Sequence, residues 1–228
     1  MLARTARSGL RRLPGARRAG LMVRFGDVGR TAPLSPWGGT RGLPVDRWYI
    51  ERYLADNATA VKGRVLEVKL DTYASRFGAS AVDVLDIDAN NPHATVVGDL
   101  CSADTLEPGR YDAAIVTQTL QLVTDPGAAV RQLLLSLRPG GSLLMTVPCL
   151  SRIVDGSDRW RWTPVGFKEM ISDVAPDGAD TRVQGLGNGL AARAFLFGLA
   201  AEDLTATGLA QPDDAYPLVV GGCVRVPG

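Results

Sequence analysis

An α/β fold built on a mostly parallel sheet follows from three features of the sequence. Short apolar runs recur at residues 65–68, 82–87, 113–116 and 142–147, each with the length and β-branched content of a strand buried on both faces. The first two carry acids towards their carboxyl ends and the third runs into hydroxyls and an amide, at the edge where open α/β sheets take ligands. Between the last two runs, Ala129, Leu133 and Leu137 recur at helical spacing after Asp125-Pro126, with proline in the first turn where its missing N–H does no harm. The 228 residues, 46% hydrophobic and 21% charged, suffice for one domain with a substantial core.

Charge is spread unevenly. Residues 1–26 hold seven arginines and no acid, so the net charge of +1 leaves −6 on the remainder. A body of that sign is no nucleic-acid binder by bulk charge. Cys101, Cys149 and Cys223 are odd in number and far apart, which argues against a disulfide framework and against a zinc site. A reducing cytoplasm and no metal are expected. No run of 18 apolar residues occurs, and the first arginines precede no apolar stretch with a cleavage site, so neither a membrane span nor secretion is expected.

Taken in order, residues 1–43 read as a basic arm and lead-in loop, and 44–228 as the folded domain. Pro14 prevents one continuous helix in the arm, which is expected to be disordered or loosely docked; a transit peptide or an anionic-surface contact are the sharper alternatives. Prolines and glycines between Thr31 and Pro44 forbid a long element. A helix is predicted to start with Asp46 as N-cap, to turn Trp48, Ile50, Tyr53 and Leu54 to one partly apolar face, and to close near Gly63.

The first strand carries Glu67 near its end and enters the turn Lys69-Leu70-Asp71-Thr72-Tyr73, with no glycine before Gly78. The second ends on Asp86-Ile87-Asp88. In nucleotide-binding α/β folds a carboxylate there bonds the ribose hydroxyls, about 20 residues past the turn motif. Asp88, 21 positions after Glu67, fits; a solvated turn acid is the alternative for either aspartate. The loop through His93, the sole histidine and expected to be solvated, leads so soon into a third strand at 95–99 that no crossover helix can lie between.

Strand, polar turn, helix, Arg138-Pro139-Gly140-Gly141 and strand follow one another from Tyr111 to Val147. With the acid-tipped first strand, this order resembles the class I S-adenosylmethionine-dependent methyltransferases of the type 11 branch, most closely over 99–148 and more loosely from Pro44 to the C-terminus. The resemblance implies a Rossmann-like three-layer sandwich: a mostly parallel seven-stranded sheet, an antiparallel last strand beside the fifth, and shortened helices between the first three strands. It implies S-adenosylmethionine as cofactor, held by Glu67, Lys69 and Asp71 at the first motif, Asp88 at the ribose, Asp99 beside the adenine amino group with Leu100 after it, and Gln118 at the end of the fourth strand. The first motif is degenerate, because Lys69 stands where the family has its first glycine. A lysine is expected to lose the positive φ that glycine allows there; its stem then crowds the methionine half of the pocket and leaves weak binding, the favoured outcome, or its ammonium reaches the ligand's carboxylate.

Thr117, Gln118 and Thr119 supply only an amide and hydroxyls where many relatives place an acid or histidine, so no catalytic residue is assigned. Arg47 and Tyr49, on a helix that resembles the element covering the cofactor side in some relatives, are further candidates, or pack on the sheet edge. Trp160-Arg161-Trp162 is either a substrate wall or a cap packed under a loop. A helix over 165–172, a strand over 181–184, a helix over 188–204 and a last strand over 216–226 complete the chain. The function expected is methyl transfer to a small molecule or glycan-type precursor, run on proximity and orientation. The alternative is a methyltransferase fold with weak or no cofactor binding that serves as an interaction domain. A nicotinamide enzyme lacks its glycine fingerprint here.

Overall fold

The computed structural model describes Ala19, Met22 and residues 32–228. Ala19 and Met22 apart, the expectations for the arginine-rich arm lie outside the described residues. Ser35–Gly228 forms one compact unit. The lead-in loop joins it from Ser35 onward: Ser35 is buried, Arg41 forks onto Asp203 at 2.7 and 2.9 Å, and Pro44 bridges to Ala200.

Seven strands, β1 (Arg64–Val68), β2 (Ala81–Asp86), β3 (Val96–Val97), β4 (Tyr111–Thr117), β5 (Leu137–Pro148), β6 (Asp180–Leu186) and β7 (Val219–Arg225), form one sheet in the order β3-β2-β1-β4-β5-β7-β6. The first five run parallel, and β7 is antiparallel to both β5 and β6, which puts the reversed last strand beside the fifth. Five helices accompany them among the described residues: α1 (Val45–Asp56), α2 (Pro126–Leu135), α3 (Pro164–Ser172), α4 (Gly189–Phe197) and α5 (Ala206–Ala210). Residues 87–95 contain no helix, as the short connection required, and residues 69–80 contain none either, where a shortened helix was expected.

Side chains alternate along each strand, and both faces are buried. Leu66, Val116 and Met145 face Val130 and Leu133 of α2 and Phe167 and Ile171 of α3. Their neighbours Val65, Ile115 and Leu144 face Ile50 and Leu54 of α1 and Ala194 and Phe195 of α4. Strand order reverses direction between β1 and β4, and the crevice at such a switch point is where doubly wound sheets take their ligands.

Several boundaries differ from expectation for local reasons. α1 starts at Val45 with Pro44 as its N-cap, because proline sets the φ that leads into a helix, and it stops at Asp56 before a short 3-10 turn. α4 ends at Phe197, where Gly198 takes φ 73°, and does not continue to 204; the rest of that span is a 3-10 turn leading to α5. β5 begins at Leu137, since Tyr111 pairs with Leu137 across a register shift. The caps of α2 and α3 are Asp125 and Thr163, whose side chains accept from Ala128 and Gly166 at 2.9 and 3.2 Å.

Candidate functional site

A cleft of about 630 Å³ opens at the carboxyl ends of β1, β2 and β4. Its first wall is made by Glu67, which is 3% exposed. One carboxylate oxygen accepts from the amides of Thr72 and Tyr73 at 3.1 and 3.2 Å, the other from those of Tyr73 and Ala74 at 3.0 and 2.8 Å. Burial pushes this carboxyl up and the three amides pull it down, with burial prevailing. The turn after β1 is thus wound about one buried acid and not about glycines.

Lys69 opens that turn with φ 74°, so the expectation that lysine would forgo the glycine-like conformation is overturned. Two contacts hold it there: its N–H donates to Leu85 O at 2.8 Å, and its carbonyl accepts from Asn91 Nδ2 at 2.8 Å. The conformation costs about 1–2 kcal/mol. The side chain is exposed at the cleft. Asp71 does not line the cleft; it accepts from the Ser75 amide at 3.1 Å and pairs with the Ser75 hydroxyl.

At the end of β2 the cleft-lining acid is Asp86. Its Oδ2 accepts from Asn91 Nδ2 at 2.6 Å and its Oδ1 from the Asp88 amide at 3.1 Å. Burial pushes the carboxyl up, but the amides of Asp88 and Asn91 and the nearby Lys69 charge hold it below the ordinary carboxylate range. Asp88, favoured by spacing, lies outside the cleft lining and accepts from the Asn90 amide and side chain at 2.9 and 3.0 Å. β2 stops at Asp86, so Asp88 sits in the turn beyond and no longer shares the strand's alternation.

Asp99 and Leu100 also line the cleft, with Asp99 Oδ1 accepting from the Cys101 amide at 2.9 Å. Ile87, 71% exposed, and Leu70 are apolar lining residues that the sequence reading passed over; the only signal for Ile87 was an apolar side chain just past a strand end. Gln118, at φ 48°, lines the wall after β4 and keeps its buried Nε2 without a partner. Strain and an unpaired buried donor at one residue mark a place built for something other than stability.

Arg47 of α1 lines the cleft and donates to Tyr73 Oη at 2.7 Å. Tyr49 does not: two helical steps, about 200°, separate the two, and Tyr49 is turned into the core, donating to Leu209 O at 2.7 Å. Trp162 packs on Phe167 with ring centroids 5.7 Å apart, and Trp160 Nε1 donates to Val123 O at 2.9 Å. Trp162 is packed as a cap, Trp160 stays 39% exposed, and Ser157 and Arg159 from the same loop reach the cleft. His93 is exposed, as expected. Among the described residues no group of three or more His, Cys, Asp or Glu could hold a metal ion, and no helix is long and apolar enough to cross a membrane.

The donor set suits a nucleoside joined to an amino acid. Arg47, Lys69 and Arg159 supply cations to the cleft lining, Asp86 and Asp99 supply carboxylates beside the exposed Ile87 and the buried Leu100, and Gln118 supplies an unpaired amide donor.

A family described as a methyltransferase domain, type 11, matches residues 52–145. No curated protein sequence matches the chain. Solved structures share the fold. A chain from the complex of a Haloferax volcanii methyltransferase activator, Trm112, superposes with TM-score 0.54 at 16% identity, over 80% of this chain and 94% of that one. An S-adenosylmethionine-dependent methyltransferase from Archaeoglobus fulgidus gives 0.53 at 10% identity, over 77% and 92%. Phosphoethanolamine N-methyltransferase 2 of Haemonchus contortus, solved with S-adenosylmethionine, gives 0.52 at 16%, over 78% and 53%.

Proposed function

Taking the chain as a class I S-adenosylmethionine-dependent methyltransferase of type 11, we propose that it methylates a small-molecule or glycan-type precursor in the cleft between β1, β2 and β4. The observation that carries the placement is the Glu67-bound turn and Asp86, at the ends of neighbouring strands, lining one cleft. When bound, S-adenosylmethionine supplies an electrophilic methyl group. Asp86 is the residue we assign to the ribose hydroxyls, in place of Asp88, because it is ionised, lines the cleft and has lone pairs left after its two contacts. Asp99 accepts from the base amino group, and Ile87 and Leu100 flank the ring. Arg47 and Lys69 are the cations available to a carboxylate. Gln118 offers its unpaired Nε2.

The chain's own contribution to rate is positioning and exclusion of water. Glu67 is committed to three backbone amides, and Thr117, Gln118, Thr119 and Ser157 take up no proton at neutral pH. The overall charge of the residues after 26 supports a small-molecule partner over nucleic acid, and three unpaired thiols accord with a cytoplasmic setting. Titrating S-adenosylmethionine, S-adenosylhomocysteine and NAD in turn tests the reading. Both methyl-cofactor forms should bind and NAD should not; binding of NAD alone would end it.

A further inference from the structure

The segment carrying Arg159 is fixed to the chain just past β4. The amides of Arg159 and Trp160 donate to Gln121 O at 2.8 and 3.3 Å, and Trp160 Nε1 donates to Val123 O at 2.9 Å. The guanidinium is held as well, since Nη1 donates to Leu122 O at 2.9 Å and to Ser157 O at 2.7 Å. Both acceptors are neutral carbonyls. Arg159 is exposed; among the described residues its Nε and Nη2 make no hydrogen bond and no carboxylate forms an ion pair with it, although its charge helps hold the Asp155 carboxyl down. The acids nearest in sequence are taken: Asp155 accepts from the amide and hydroxyl of Ser157, and Asp158 is paired with Arg161. The arginine is therefore a positioned cation that lines the cleft with one two-pronged edge free.

We infer that the methyl acceptor is a carboxylate-bearing small molecule held by the free Nε and Nη2 edge of Arg159. The inference rests on the methyltransferase reading of this cleft and adds the acceptor's chemical class to it. A planar fork whose remaining donors are already anchored matches a carboxylate in two parallel bonds and loses little freedom on binding. Arg47 is tied to Tyr73 on the turn after β1, and Lys69 stands in that turn, so a cofactor carboxylate has its own cations and leaves Arg159 over.

Benzoate and its neutral isostere benzamide are the probes, each titrated by ligand-observed NMR into protein saturated with S-adenosylhomocysteine. Wild type should bind benzoate in the millimolar range and benzamide more weakly. Arg159→Gln should weaken benzoate about tenfold and leave benzamide and S-adenosylhomocysteine unchanged, and Arg159→Lys should recover part of the loss. Benzoate binding that is absent in wild type, or equal in wild type and Arg159→Gln, overturns the inference while the methyltransferase reading stands. Loss of S-adenosylhomocysteine affinity in Arg159→Gln also overturns it, by assigning the arginine to the cofactor. Failure of wild type to take up S-adenosylhomocysteine removes the reading beneath it.

Discussion

The Glu67 carboxylate and the Ala74 backbone amide meet at 2.8 Å, seven residues apart and inside the core. With the Thr72 and Tyr73 amides on the same carboxylate, this contact organises the turn that the family this chain resembles builds from glycines. Glu67→Gln keeps the shape, but its NH2 group must then face an N–H donor. A loss of about 1–3 kcal/mol in unfolding free energy is expected, read by urea denaturation. An unchanged midpoint would mean that the turn stands without the acid.

Lys69 keeps a left-handed φ of 74° with a side chain attached. Lys69→Gly removes the steric cost, partly offset by glycine's greater freedom in the unfolded chain, for a net gain of up to about 1 kcal/mol. Lys69→Ala keeps a Cβ and should gain nothing. Thermal midpoints of the two variants decide the matter: a rise confined to glycine is expected, and equal midpoints would show that the turn carries no strain.

Arg41 and Asp203 tie the segment before α1 to the one after α4, at 2.7 Å. The hydrogen bond from Arg41 holds the Asp203 carboxyl down at about 2, below its ordinary 3.8. A carboxyl depressed on folding stabilises above its unfolded value and loses that contribution as pH falls through its folded one. The midpoint difference between wild type and Asp203→Asn should therefore be full at pH 5 and shrink between about 3.8 and 2. A difference constant down to pH 2 would contradict the pairing.

Much of the sheet could be read from the sequence because parallel strands bury both faces, so Val65-Leu66, Ala113–Val116 and Leu143–Val147 stand out as apolar runs. Glu67 was legible for the opposite reason, as one charge inside such a run. Helix ends were less so: α4 stops at Gly198, a glycine no different in sequence from others that end nothing, and Pro44 took the cap expected of Asp46. Spacing alone chose Asp88 over Asp86, since which acid faces the cleft depends on where β2 stops pairing, and that is set by the two-residue β3 beside it. Arg159 carried no local signal. Its position comes from carbonyls of residues 121 and 122, more than thirty positions earlier in the chain.

Calorimetric titration of S-adenosylhomocysteine into wild type, Asp86→Ala and Asp88→Ala tests whether Asp86 holds the cofactor's ribose at the end of β2. Asp86→Ala should lose about 1.5–3 kcal/mol of binding free energy, and Asp88→Ala should bind as wild type does. Undiminished binding by Asp86→Ala, with the loss falling on Asp88→Ala, would contradict it.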